Sequence, residues 1–422
     1  MPESEPVTAF SSLLTPAGGR LLDRVCALPE GDPLAAATRA RAAAEEIAAA
    51  EPGGLGAPPA DAAAAALSQA RLRARARAKF GERAARMFFT PDGLEQATRI
   101  EAARYRAAGF AAALPAGTEV ADLCCGIGAD TLALAEAGMR VRAVDADPLT
   151  AAVAAANIGA LGLSGRARAE TGTTGPGSVP PGRYGAVFCD PARRGARGRV
   201  FDPDAYSPPW GVVEELAQAA PAACVKAAPG IPHERIGGAR AEWVSVDGEV
   251  KEAALWFGAL AAGPPRRAVL LRSGSAGPPA VLDGGAEERP APVGGVRRYL
   301  YEPDGAVVRS HLVAEAAELV GGALLDPRIA YIASDRLVDT PFCAAYEVHE
   351  AMPFSLKRLR AAVRARRAGT VTIKKRGSAV DVERLRRDLR PSGPESVVVV
   401  LTRIGDRPFC LLCSEVSAAQ RT

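Results

Sequence analysis

Between Thr118 and Asp147 the chain reads TEVADLCCGIGADTLALAEAGMRVRAVDAD, and no other stretch narrows the fold as much. An apolar strand runs into a glycine turn, an Ala/Leu helix closes at Gly138, and a second apolar strand ends on an acid. A strand that returns through a helix beside itself builds a parallel sheet, with a right-handed crossover. The alternation continues with a helix in LTAAVAAANIGALG and strands in YGAVFCD and ACVKAAP. WVSVDGEVKEAALWFG then predicts a hairpin turning at Asp247-Gly248. The expected class is α/β.

The 422 residues exceed one ordinary core. Residues 1–89 are Ala-rich with apolar positions at helical spacing, which predicts a small helical domain closed by RLRARARAKFGERAARMFF. Residues 90–275 carry the strand and helix alternation, 276–295 are a Pro/Gly-rich linker, and 296–422 form a second α+β unit. The net charge of +4 is unevenly spread: Ser355 to Arg390 holds thirteen Lys or Arg against three acids, so the rest of the chain is net acidic. That asymmetry points to a polyanionic partner. Eight cysteines are too sparse for a disulfide scaffold, and the single Cys410-x-x-Cys413 lies in the apolar run FCLLC, so core-strand residues are expected there. His233, His311 and His349 follow no metal-ligand spacing, and no metal is assigned. No apolar run is long enough to cross a bilayer and MPESEPVTAF is no leader, so the expectation is a cytoplasmic protein without membrane contact.

The turn Asp122-Leu-Cys124-Cys-Gly126-Ile-Gly128 brings backbone and helix N–H groups close to a ligand. A dinucleotide fingerprint requires a third glycine where this chain has Thr131, which argues against nicotinamide cofactors. Asp122 instead places a carboxylate where a cationic ligand is welcome, and S-adenosylmethionine carries an ammonium and a sulfonium. Seventeen residues after Gly128, Asp145 ends the second strand in the position from which an acid receives ribose hydroxyls, with Asp147 competing for that role. Many class I S-adenosylmethionine-dependent methyltransferases, which these motifs resemble, touch the adenine after the third strand, where ARAETGTTG offers Glu170 or Thr173.

Two proline motifs follow. Asp190-Pro191-Ala192-Arg193 stands at the carboxyl end of the apolar run YGAVFC, where ligands of open α/β sheets bind. Its Asp190 is expected to orient an acceptor amine or hydroxyl, and Arg193 and Arg194 to hold a phosphate or base edge. Ser207-Pro208-Pro209-Trp210 comes seventeen residues after Asp190 with no strand before it. It is read either as a turn capping the next helix or as a loop folding over the cleft with Trp210 as a stacking wall. Cys189 as a covalent nucleophile is the lesser option, and Lys226 is expected to border the same cleft.

These residues resemble the Rossmann-like class I S-adenosylmethionine-dependent methyltransferases: DLCCGIG their glycine motif, AVDAD their ribose acid, FCDPAR their fourth-strand motif. FFTPDGLEQATR, YSPPW and the C-terminal GTVTIKKRG…LTRIG resemble a bacterial group whose methyltransferase domain precedes a THUMP-like domain, with trimethylguanosine synthases as more distant relatives. The resemblance implies a Rossmann-like methyltransferase sheet preceded by a small helical domain and followed by a basic α+β THUMP-like domain. It implies S-adenosylmethionine bound by Asp122, Cys124, Gly126, Gly128, Asp145, Ala146, Asp147, Thr173 and Asp190, with Asp190, Pro191 and Arg193 at the transfer site.

The function this predicts is methylation of RNA, tRNA or rRNA, with Arg194, Trp210, Lys374, Lys375 and Arg376 on the substrate. The alternatives are a methyltransferase for a protein or small molecule, and a non-catalytic RNA-binding protein.

Overall fold

The computed structural model describes residues 5–29, 31–192, 194–195, 198–199, 202–275 and 277–416. Arg193, one of the expected transfer-site residues, lies outside them. The chain divides into two compact units, Met1–Ala239 with Ala254–Ala262, and Arg240–Ala253 with Gly263–Thr422.

The first unit opens with helices α1 (Glu5–Ser12), α2 (Pro16–Cys26), α3 (Pro33–Ala50) and α4 (Pro59–Phe80). Proline sits at the first position of α2, α3 and α4, and Thr15 and Asp32 accept the orphan N–H groups of Gly18 and Leu34. Capping of this kind contributes about 1 kcal/mol per helix. Ala40, Ala44, Ala62 and Ala66 are fully buried, so the small side chains let the helix axes approach closely. After α5 (Pro91–Gln96) and α6 (Ile100–Ala113) come β1 (Glu119–Leu123), α7 (Ala129–Glu136), β2 (Arg140–Asp145), α8 (Pro148–Ala160), β3 (Ala167–Thr171) and β4 (Ala186–Cys189). Two-residue strands β5 (Arg194–Gly195) and β6 (Gly198–Arg199), helix α9 (Trp210–Gln218) and β7 (Ala222–Ala227) follow. β3, β2, β1, β4 and β7 lie side by side in that order, all parallel. The order reverses between β1 and β4, which defines the crevice where a doubly wound sheet binds its ligand. One hydrophobic core runs from Phe10 of α1 through the sheet to Trp256 and Leu260.

The second unit contains β8 (Arg240–Val246) and the start of β9 (Glu249–Gly258), joined by Asp247 and Gly248 with positive φ angles of 53° and 81°. That is the two-residue hairpin the sequence predicts. Next come β10 (Arg266–Leu271), β11 (Ala280–Gly284), β12 (Tyr299–Pro303), α10 (Gly305–Arg309), α11 (Val313–Val320), β13 (Ala323–Asp326), β14 (Ile329–Ser334) and β15 (Cys343–Pro353). The chain closes with α12 (Leu356–Ala365), β16 (Ala368–Lys375), α13 (Val382–Leu389), β17 (Glu395–Ile404) and β18 (Arg407–Glu415). A seven-stranded sheet takes the order β13-β14-β12-β15-β18-β17-β16, with only β16 and β17 parallel. Cys410 and Cys413 of β18 face opposite sides of this sheet and enter separate apolar clusters, so the Cys-x-x-Cys is two core positions. Burial pushes the two thiols up to about 11 and about 12. No helix among the described residues is long and apolar enough to cross a membrane, and no group of His, Cys, Asp or Glu among them is disposed to hold a metal.

Candidate active site

The crevice is built on the turn after β1. Cys124, Gly126 and Gly128 all have positive φ, at 61°, 57° and 87°, and Gly128 caps α7. A run of this kind turns successive N–H groups toward one side. Gly93 of α5 packs on the turn so closely that a Cβ there would meet Ile127 at 2.4 Å, which accounts for the glycine in FFTPDG. Two buried amides secure the same region. Gln69 of α4 donates to the Phe89 carbonyl at 2.7 Å and accepts from its N–H at 2.9 Å. Asn157 of α8 accepts from Phe88 N–H at 2.7 Å and donates to the carbonyls of Phe88 and Ile127.

Asp145 closes β2 beside the turn. One carboxylate oxygen accepts Gly126 N–H at 2.9 Å and the other Asp147 N–H at 3.0 Å, which fixes the group and leaves lone pairs on both oxygens for a diol. Asp147 itself caps α8, accepting from Thr150 N–H and Oγ1 at 2.8 and 2.6 Å. Its carboxylate is committed to the helix start, whereas that of Asp145 is held only by two backbone N–H groups. Ala146 between them is exposed. Of the two candidates after β3, Glu170 is tied to Arg142 of β2 through both oxygens at 2.9 and 3.0 Å, whereas Thr173 stands exposed just beyond the strand end.

Asp122 is fully buried beneath the turn. Thr131 donates its hydroxyl to one oxygen, so the residue that replaces a third glycine serves this acid. The other oxygen, Oδ1, has no hydrogen-bond partner. Burial, with repulsion from Asp130, raises the Asp122 carboxyl to about 8 against the Thr131 hydrogen bond. Arg106, stacked over Phe188 at 4.7 Å, belongs to Asp130 instead, in a buried ion pair. An orphaned buried carboxylate oxygen fits a ligand that brings its own positive charge.

On the other side of the crevice the N–H of Asp190 donates to Leu123 at 3.1 Å, extending the β4–β1 ladder by one residue, so its side chain emerges at the strand end. Lys226 of β7, almost fully buried, donates to Asp190 at 2.6 Å and to Thr98 Oγ1 at 2.8 Å. Thr98 is in turn placed by Lys79, whose ammonium donates to the carbonyls of Leu94, Glu95 and Ala97 at the end of α5. The sequence offers Lys226 only as a border of the cleft. Thr98 and Lys79 carry no signal there beyond lying in or near FFTPDGLEQATR.

The two proline motifs are neighbours. Ala192 N–H donates to the Ser207 carbonyl at 2.9 Å and Ser207 N–H returns to Ala192 at 3.0 Å, so an isolated antiparallel bridge ties DPAR to SPPW. Pro191 is buried, Ser207 and Pro209 are exposed, and Ser207-Pro208 is cis. Trp210 corrects the expectation of a stacking wall. It opens α9 at 1% exposure, its indole N–H donating to Glu214 at 3.0 Å and its ring meeting Tyr206 edge-on, so neither face is offered to a base. Cys189 is likewise excluded as a nucleophile: it is fully buried, and contact with Cys124 together with burial holds it well above the usual thiol range. Arg194 lies in β5, paired through its backbone with Arg199.

A third correction concerns Lys374, Lys375 and Arg376. Lys374 pairs with Glu302 at 3.0 Å, and Arg376 approaches the same carboxylate at 3.6 Å while donating to the Pro303 carbonyl and lying over Tyr331. Only Lys375 is exposed, and it donates to the Val380 carbonyl at 3.2 Å. The cluster is mostly internal structure.

Residues 343–415 match the THUMP domain-like family, and residues 6–50 match a domain of unknown function (DUF8688). An uncharacterized S-adenosylmethionine-dependent methyltransferase of Mycobacterium tuberculosis, present in strains CDC 1551 and H37Rv, is 37% identical over 323 residues, covering 75% of this chain and 85% of the relative. The crystal structure of a "putative methyltransferase from Porphyromonas gingivalis W83" shares the fold with a TM-score of 0.71 at 20% identity, over 98% of this chain and 99% of that one. The chain belongs to the S-adenosylmethionine-dependent methyltransferases. Its cofactor is S-adenosylmethionine, and a THUMP-like domain occupies its C-terminal part.

Proposed function

We propose that this methyltransferase modifies RNA, tRNA or rRNA, with residues 296–422 holding the substrate. The observation that carries the reading is the surface of the THUMP-like part. α12 and α13 bury Leu359, Ala362, Val363, Leu385 and Leu389, and turn Lys357, Arg358, Arg364 and Arg387 outward. Arg367 and Arg390 at the helix ends are also exposed. Few aromatics accompany these cations, a composition suited to phosphates more than to stacked bases.

In the first unit, Asp145 receives the ribose hydroxyls, the turn from Cys124 to Gly128 presents its N–H groups, and Asp122 Oδ1 takes the ammonium. The bound cofactor supplies an electrophilic methyl group on its sulfonium. Asp190, with one oxygen held by Lys226, uses its other oxygen to accept a hydrogen bond from the acceptor amine or hydroxyl and so aligns it. Pro191 sets the chain direction after it, and Ser207 and Pro209 border the acceptor.

Comparing modified nucleosides by mass spectrometry in cells with and without this gene tests the reading. One methylated nucleoside should disappear from tRNA or rRNA. Unchanged nucleosides, together with methylation of a protein fraction by the purified enzyme, would transfer the activity to a protein substrate.

A further inference from the structure

The face of β2 and β3 opposite α7 and α8 carries an array of arginines that the active site does not use. Val141, Ala143 and Ala167 point into the apolar core, and alternation along the strands turns Arg140, Arg142 and Arg168 to the other face. Register places Arg142 directly beside Arg168; Arg140 opens β2 two residues earlier, and Arg166 immediately precedes β3. Parallel sheets normally have both faces covered by crossover helices. Here residues 172–185, which join β3 to β4, contain no helix, and a cavity of about 270 Å³ opens among Arg140, Arg142, Arg166, Arg168, Ser164 and Glu119.

Like charges at paired positions of neighbouring strands cost stability, and this patch does little to offset them. Glu170 answers Arg142, and Glu119, bound to Arg183 at 2.8 Å, also attracts Arg140 and Arg168, so two acids stand against five arginines. Arg140 donates to the Gly117 carbonyl at 3.1 Å, and Arg166, which borders the cavity from the end of the sheet and not from this face, donates at 3.5 Å to the Ala135 carbonyl of α7. Arg168 is exposed. Charged side chains do protect an edge strand such as β3 from pairing with other chains. That role does not call for one sign of charge two strands deep.

We propose that this face, with the end of the sheet beside it, is a second RNA contact, in which Arg140, Arg166 and Arg168 hold backbone phosphates. The proposal rests on the reading of RNA as substrate. Strands lie about 4.8 Å apart and residues two positions apart along a strand about 6.6 Å, so the guanidiniums form a compact grid of forked donors suited to phosphate oxygens.

The experiment measures binding of bulk tRNA, and separately bulk rRNA, to the full chain across a series of salt concentrations. Replacing Arg140, Arg166 and Arg168 together by Gln should flatten the slope of log K against log salt by about two units, while S-adenosylmethionine affinity stays unchanged and the thermal midpoint does not fall. Lysine at the same three positions should restore most of the slope. Arg168→Glu alone should weaken binding if the triple variant does not fold. A parallel variant, Lys357, Arg358 and Arg364 to Gln, reports on the THUMP-like surface. If that variant flattens the slope and the sheet-face variant does not, the second contact is refuted and the RNA reading stands. If the wild-type chain binds neither RNA, both fall. Should the sheet-face variant instead lose only binding to polyglutamate, the face serves an acidic protein and the proposal is overturned.

Discussion

Two carboxylates on the adjacent strands of the crevice are treated in opposite ways. Asp190 at the end of β4 is given a cation of the protein's own, the buried Lys226, which is itself held by Thr98. Asp122 in β1 is buried more deeply and receives only the hydroxyl of Thr131, with Oδ1 left unpaired and its carboxyl raised to about 8. A buried carboxylate is stable as an anion only when a positive charge accompanies it. The difference gives each acid its own environment: Asp190 is fixed by a cation of the protein's own, whereas Asp122 keeps a buried oxygen that only a cation brought from outside could complete.

The largest effect expected from breaking this comparison is on transfer. Asp190→Asn should slow single-turnover methylation about 100-fold or more and leave cofactor affinity within about twofold, because the one amide oxygen goes to Lys226 and the acceptor then meets an NH2 donor, while the cofactor groups persist. A rate loss matched by an equal loss of cofactor affinity would place Asp190 on the cofactor instead. Lys226→Met comes next. It strands Asp190 and Thr98 and should cost about 3 kcal/mol in urea unfolding, at the low end for a broken buried pair because Asp190 keeps a quarter of its side chain in solvent. It should also slow transfer, and Lys226→Arg should recover part of both.

Much of this site is legible in the chain itself. Glycine positions, the strand-ending Asp145 and the place of Asp190 follow from local patterns, since a turn with positive φ and a strand end are properties of a few consecutive residues. The hairpin at Asp247-Gly248 and the strand character of FCLLC are legible for the same reason. Partnerships across the chain are not. Thr98 is 128 positions from Lys226, and no local pattern announces their hydrogen bond. SPPW and DPAR read as rivals along the sequence, yet the bridge between Ala192 and Ser207 makes them neighbours. Lys374 and Arg376 read as a phosphate clamp because Glu302 is more than seventy residues away. Trp210 is the reverse case, an aromatic beside two prolines that looks displayed and is instead part of the core.

Smaller effects sharpen the cofactor side. Asp145→Ala should weaken S-adenosylmethionine by about 1 to 3 kcal/mol in calorimetry, the cost of losing hydrogen bonds to a charged acceptor. Asp147→Ala should instead lower stability by about 1 kcal/mol through the lost cap of α8 and leave cofactor affinity nearly unchanged. Equal losses of affinity in the two variants would show that the ribose position is shared. Trp210→Phe should cost about 1 kcal/mol of stability for the lost indole hydrogen bond, with RNA binding unaltered.

The contrast between the two acids is tested most directly by the protons exchanged when S-adenosylmethionine binds, measured by calorimetry at pH 7 in buffers of different ionisation enthalpy. With its carboxyl near 8, Asp122 is mostly protonated at pH 7 in the free enzyme and must ionise to meet the ammonium, so binding should release close to one proton and tighten as pH rises toward 8. Above that the ligand's own amino group begins to lose its charge and the gain ends. Asp122→Asn should bind more weakly and release none. Binding to the wild-type enzyme without proton release, or release that persists in Asp122→Asn, would contradict the claim that the cofactor supplies the cation Asp122 lacks.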